Sequence, residues 1–208
     1  MVIKELCIEN HDSLERAIRN GAKRVELCDN LAKGGTSVSI GVAEFVQKKA
    51  SETGVSVVAM LRPRAGNFCY SDAEISMMRR DLEAYQSVGI KAFVFGCLTE
   101  TGELNKTQIK ELMHEIDAEF TFHMAFDELK TDKKIAIDWL AENGFTRILT
   151  HGGAGHLPPE EVIPVWREYI QYANHRITIL PGGGITSENW HEVAQKTGAT
   201  ELHGTKIV

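Results

Sequence analysis

The sequence predicts an α/β fold, a single (β/α)8 TIM barrel over residues 1–208 that lacks its last C-terminal helix. Three observations predict it. Helical patterns end at Gly21, Gly54, Gly89, Gly144 and Gly198, and a β-branched or aromatic run restarts shortly after each. The intervals between these glycines are 33, 35, 55 and 54 residues, one or two lengths of a βα unit. Eight strand-like runs alternate strictly with seven helical ones. That pattern gives a parallel sheet covered by helices, and eight strands favour a closed barrel over an open sheet.

The elements follow in order. A first strand near 2–8 carries Glu5-Leu6-Cys7, and a helix over 11–20 ends at Gly21. A second strand near 23–28 ends in Glu26-Leu27-Cys28, and a helix over 38–53 ends at Gly54. The third strand, 55–62, runs into Arg62-Pro63-Arg64. Ser71 and Glu74 have the spacing of a capping box and open a helix over 72–88. A fourth strand over 91–97 ends at Gly96-Cys97 and leads to a helix over 106–117. The fifth strand, 119–124, bears His123, and its helix spans 132–143. The sixth, 147–150, ends at Thr150-His151, and Pro158-Pro159 suits the first turn of a helix over 159–173. The seventh, 176–181, enters Gly182-Gly183-Gly184, after which Thr186 or Ser187 is placed to cap a helix over 187–197. The eighth strand, 200–204, carries Glu201-Leu202-His203. No linker, low-complexity tract or second domain interrupts the series.

Composition narrows the function. Lys and Arg number 23 against 29 Asp and Glu, a net charge of −6, which argues against a nucleic-acid surface. No apolar run reaches the roughly 18 residues that span a bilayer. The start has neither a basic nor an apolar leader region, so a cytoplasmic location is expected. Cys7, Cys28, Cys69 and Cys97 form no Cys-x-x-Cys pair, so no structural zinc or thioredoxin-type motif is indicated, and thiols are expected in a reducing compartment.

In such barrels chemistry sits at the C-terminal ends of the strands. Residues i and i+2 of a strand share a face. Glu5 with Cys7, Glu26 with Cys28, and Glu201 with His203 therefore each point one way. Closure would make strands eight, one and two neighbours and join the three tripeptides into one arc. Three chemistries compete for the strand ends. An anion fits Gly182, Gly183 and Gly184 before a helix start, with Gly204 alongside and Arg62 and Arg64 as a clamp. Cu(I) fits Cys7 and Cys28, with His203 across from Cys7. Acid–base catalysis on a small anionic or phosphorylated metabolite fits Glu5, Glu26, His123, Asp127 and His203, with Arg62 holding an oxyanion. The plain alternative is that Arg24 and Arg62 merely neutralise Glu5 and Glu26 in the barrel interior. No lysine ends strand six, and Glu5-x-Cys7 stands where metal-dependent barrel hydrolases carry His-x-His.

Taken with these residues, Arg24-Val25-Glu26-Leu27-Cys28, Gly34-Gly35, the run from Arg62-Pro63-Arg64 to Ser71-Asp72, Thr121-Phe122-His123, Ala125-Phe126-Asp127, Arg147-Ile148-Leu149-Thr150 and Glu201-Leu202-His203 give the chain a resemblance to the CutC copper-homeostasis family. The resemblance implies a cytoplasmic barrel that handles copper, with Cys7 and Cys28 as Cu(I) ligands. It also implies a homo-oligomer, and the open edge left without a last helix favours a dimer. The ligand expected is a metal or a small molecule. The chain departs from the family pattern near Val38, which lacks a proline, and in the loop His151–His156.

Overall fold

A computed structural model describes residues 2–153 and 157–208. Its strands are β1 (Ile3–Glu9), β2 (Arg24–Cys28), β3 (Ser56–Met60), β4 (Ala92–Phe95), β5 (Glu119–Phe122), β6 (Phe145–Thr150), β7 (Thr178–Pro181) and β8 (Glu201–Gly204). All their pairings are parallel, in the order β7-β6-β5-β4-β3-β2-β1-β8. The expected barrel is thus present with one seam. β7 and β8 share no ladder; the circle is completed beyond their ends, where Thr186 bridges Lys206 and Ser187 N–H donates to the Lys206 carbonyl at 2.8 Å.

The helices are α1 (Leu14–Arg19), α2 (Ile40–Ser51), α3 (Asp72–Ser87), α4 (Lys106–Met113), α5 (Ala125–Glu128), α6 (Lys133–Glu142), α7 (Pro159–Ala173) and α8 (Trp190–Thr197). Seven fill the expected places, and among the described residues no helix follows β8. The capping box of α3 is formed, Ser71 Oγ accepting from Glu74 N–H while the Glu74 carboxylate accepts from Ser71 N–H. Pro159 opens α7. The five junction glycines all take φ between +71° and +94°, the left-handed region that ends a helix without a Cβ clash.

Three expectations are corrected. The seventh expected helix starts at Trp190 rather than 187, and neither Thr186 nor Ser187 is its cap. Asn189 instead ties the preceding turn, accepting from Thr186 N–H at 2.8 Å and donating to the Gly184 carbonyl at 2.9 Å. α4 stops at Met113, and Glu115 turns left-handed at φ +57° before β5. The short α5 follows β5 directly. Of the glycine-rich loop after β6, residues 154–156 lie outside the described residues.

Alternation along the strands splits the apolar side chains into two groups. Leu6, Ile8, Val25, Leu27, Phe93, Phe95, Phe122 and Ile148 belong to the large core shared with the helices. The barrel lumen holds a much smaller set, Cys7, Cys28, Val58, Met60 and Val94. The other lumen positions are largely polar, and this is what makes the interior a candidate site rather than only a packed core.

Candidate functional site

Register brings the three tripeptides together as expected. Glu5 lies beside Arg24 on β2 and beside His203 on β8, and Cys7 lies beside Glu26. Glu5, Cys7, Glu26, Cys28 and His203 are all buried. His203 Nδ1 and Glu5 Oε1 are 2.7 Å apart, and the other Glu5 oxygen accepts from Arg24 Nε. Arg24 also donates to Glu201, whose carboxylate takes a second bond from Arg147 at 2.9 Å. Arg147 in turn reaches Glu119 at 2.7 Å. An ion-pair line therefore runs from the strand starts up toward the mouth. The neutralising role considered for Arg24 is realised; Arg147 and Glu119 extend the line, and sequence reading had not selected them.

At the top of this line Cys7 and Cys28 each direct a thiol at Glu26 Oε1, both at 3.4 Å. One ligand atom each of Cys7, Glu26 and His203 lie within 4.8 Å of one another. The hydrogen bond from Cys28, helped by His203 and opposed by burial, brings the Cys7 thiol down to about 5. Sharing that proton with Cys7, then burial, pushes the Cys28 thiol well up. Burial, with the Cys7 charge beside it, raises the Glu26 carboxyl well above the carboxylate range. Burial opposes charge on His203, yet Glu26, Cys7 and Glu5 together raise its imidazole well above the usual value. Glu5 is opposed by burial but held down at about 2 by Arg24 and His203. The shifts alternate in sense along this line: the Cys7 thiol and the Glu5 carboxyl are held down, the His203 imidazole and the Arg24 guanidinium are held up. Burial thus favours the protonated form of Glu26, one of whose oxygens is unpartnered among the described residues.

His123 stands across the mouth from this arc. Its Nδ1 accepts from Ala125 N–H at 3.1 Å, which leaves the ring proton on Nε2. Burial and then the Arg62 charge lower its pKa to about 3, so the ring is neutral. It fits only because residue 96 is glycine; a Cβ there would stand 2.7 Å from Nδ1.

Other expected site residues serve the scaffold. Arg62 does not reach Glu26. Its two terminal nitrogens hold the carbonyls of Lys33 at 3.1 Å, Gly35 at 2.8 Å and Gly66 at 2.8 Å, locking two loops over the mouth. Gly34 and Gly35, both left-handed, let that backbone approach the guanidinium and the Cys28 thiol, 3.2 and 3.1 Å from where a Cβ would be. Arg64 is taken out of the anion clamp by Glu74 and by the Asn67 and Cys69 carbonyls. Asp127 spends both oxygens on the loop after β6, accepting from Thr150 Oγ1 at 2.5 Å and His151 N–H at 2.8 Å. Of the glycine cradle, the Gly182 N–H is committed, while Gly183, Gly184 and Gly204 line a cavity. Gly182 N–H donates to the Thr150 carbonyl at 3.0 Å, and side chains of Leu149, His151 and Pro159 occupy the space beside Gly182, Gly183 and Gly184. Gly204 passes against the Ile185 backbone. A cavity of about 340 Å3 does open there, with His203, His151 and Lys206 among its walls.

The CutC family model matches residues 2–208. A CutC family protein of Enterococcus faecalis is 48% identical over 209 aligned residues, covering 100% of both chains. The human copper homeostasis protein cutC homolog is 38% identical over 202 residues, 97% of this chain and 72% of its own. A crystal structure of CutC from Streptococcus agalactiae, 41% identical, superposes over 100% of both chains with a TM-score of 0.97. No helix among the described residues is long and apolar enough to cross a membrane.

Proposed function

The chain belongs to the CutC family, and from that premise we propose that it takes part in copper homeostasis by binding Cu(I) through Cys7 and Cys28, with His203 beside them. The observation that carries this reading is the convergence of two buried thiols on one carboxyl oxygen, 3.4 Å from each. Cu(I) is satisfied by two thiolates or by a thiolate and an imidazole, and it favours soft donors in a dry setting. Cys7, whose thiol is held down at about 5, would offer a thiolate, and Cys28 would give up its proton on binding the metal. A bis-thiolate Cu(I) unit would bear one negative charge, which a protonated His203, favoured by the raised pKa of its ring, would offset. Burial favours the protonated Glu26 carboxyl, which lessens its repulsion. All four cysteines are free thiols, as handling of Cu(I) in a reducing cytoplasm requires.

Anaerobic Cu(I) titration of the reduced protein against a chromophoric chelator tests the reading. One equivalent is expected to bind tightly, with release of a proton, and the Cys7→Ser/Cys28→Ser variant is expected to lose it. Undiminished binding by that variant would overturn the assignment.

A further inference from the structure

We infer that the mouth of the barrel also binds a small carboxylate, whose oxygens accept from Arg62 Nε–H and His123 Nε2–H beside the Tyr70 hydroxyl. The inference does not rest on the copper reading. Arg62 and His123 are 5% and 3% exposed, and Tyr70 is 7% exposed. Each keeps one polar atom buried without a partner among the described residues: Arg62 Nε, His123 Nε2 and Tyr70 Oη. Buried polar groups are paired in the great majority of cases, so three orphans in one neighbourhood point to an absent partner. The neighbourhood is shared. The Arg62 guanidinium lies 5.0 Å from the centre of the Phe68 ring, and the His123 ring lies 4.6 Å from it. The Arg62 charge acts on both His123 and Tyr70, and the Tyr70 hydroxyl lies within hydrogen-bonding reach of the Arg62 side chain, so Arg62 and His123 are the donors with most capacity left.

The chemistry of the missing partner follows. Arg62 is a buried cation with no carboxylate among the described residues to pair it; its partners are backbone carbonyls and, beside them, the uncharged Tyr70 hydroxyl. A buried charge without a counter-ion is costly. His123 presents a donor on this side, since its acceptor nitrogen is used by Ala125. One positive charge and up to three donors match a monoanion with planar, accepting oxygens. A phosphate dianion would bring a second charge, and the further cation at hand, Arg64 at 5.2 Å from the centre of the Tyr70 ring, is already paired with Glu74.

The test is imidazole 15N–1H NMR of histidine-labelled protein titrated with acetate, with inorganic phosphate as the comparator. A saturable shift of the His123 Nε2–H resonance is expected with acetate and a weaker one with phosphate. Arg62 also fixes two loops, so Tyr70→Phe and His123→Phe are the informative variants. By thermal shift against acetate, His123→Phe should bind at least about tenfold more weakly, the loss expected for a hydrogen bond to a charged group. The Cys7→Ser/Cys28→Ser variant should bind acetate as the parent does, even if it fails to hold copper. A His123 resonance unmoved up to roughly 100 mM acetate, a response to phosphate alone, or full binding by His123→Phe would overturn the inference.

Discussion

Replacing Glu5 with glutamine keeps the side chain's shape and removes one charge from the middle of the lumen's ion-pair line. The structure sets the size of the effect. Burial works against the Glu5 carboxylate, but Arg24 and His203 outweigh it and hold its pKa at about 2 against 4.5 in the unfolded chain. A folded value below the unfolded one means that the charge stabilises the fold above pH 4.5 and that this contribution disappears as pH falls toward 2. A difference of about two and a half pH units corresponds to roughly 3 kcal/mol. That sits at the lower end of the cost of breaking a buried pair, about 3–5 kcal/mol, and the reason is visible: Arg24 keeps Glu201 and His203 keeps Cys7. Urea unfolding of both proteins, at several pH values between neutral and about 3, reads the difference directly. The gap should be near 3 kcal/mol at neutral pH and should narrow steadily below pH 4.5. A gap under about 1 kcal/mol at neutral pH, or one that stays constant into acid, would refute the charged, paired Glu5 on which the electrostatics of Cys7 and His203 depend.

Two further expectations rest on neighbouring contacts. Gly96→Ala places a methyl 2.7 Å from His123 Nδ1 and 3.0 Å from the Ala125 Cβ, so it should displace the ring and destabilise the fold by about 1–3 kcal/mol; an unchanged urea midpoint would show that His123 does not lie over that strand. Thiolate absorbance near 240 nm in the metal-free protein should show a step with a midpoint near pH 5 that Cys7→Ser removes, the thiolate persisting as pH falls to that value and protonating below it. A Cys7 step near the ordinary 9.0 would contradict the electrostatics described.

Much of the site was legible because a strand has a period of two. Once Glu5-Leu6-Cys7, Glu26-Leu27-Cys28 and Glu201-Leu202-His203 are read as strand segments, the common face of each pair follows from backbone geometry alone, and barrel closure makes them neighbours. Arg62, Arg64 and Asp127 were not legible in the same way. Each is a charged residue at a strand end, where both binding and loop-fastening call for the same side chain. What separates the two roles is the path of a loop that returns to offer its carbonyls or N–H groups. The glycines after β7 carry the same ambiguity: a close approach of backbone to an anion and a close approach of His151 or Pro159 both require the missing Cβ.

By itself the sequence determined the alternating βα order, the helix-ending glycines, the α3 capping box and the pairing of acid with thiol or imidazole on three strands. All of these are local, set by period, capping and propensity within a few residues. Only the tertiary structure decided that β7 meets β8 through a bridge beyond their ends, that Arg24 rather than Arg62 neutralises a carboxylate, and that burial raises the Glu26 carboxyl beside a Cys7 thiol that is held down. Those outcomes depend on which charges burial brings within a few ångströms across the lumen. Residues 5 and 203 become partners there through ring closure, which no window of sequence contains.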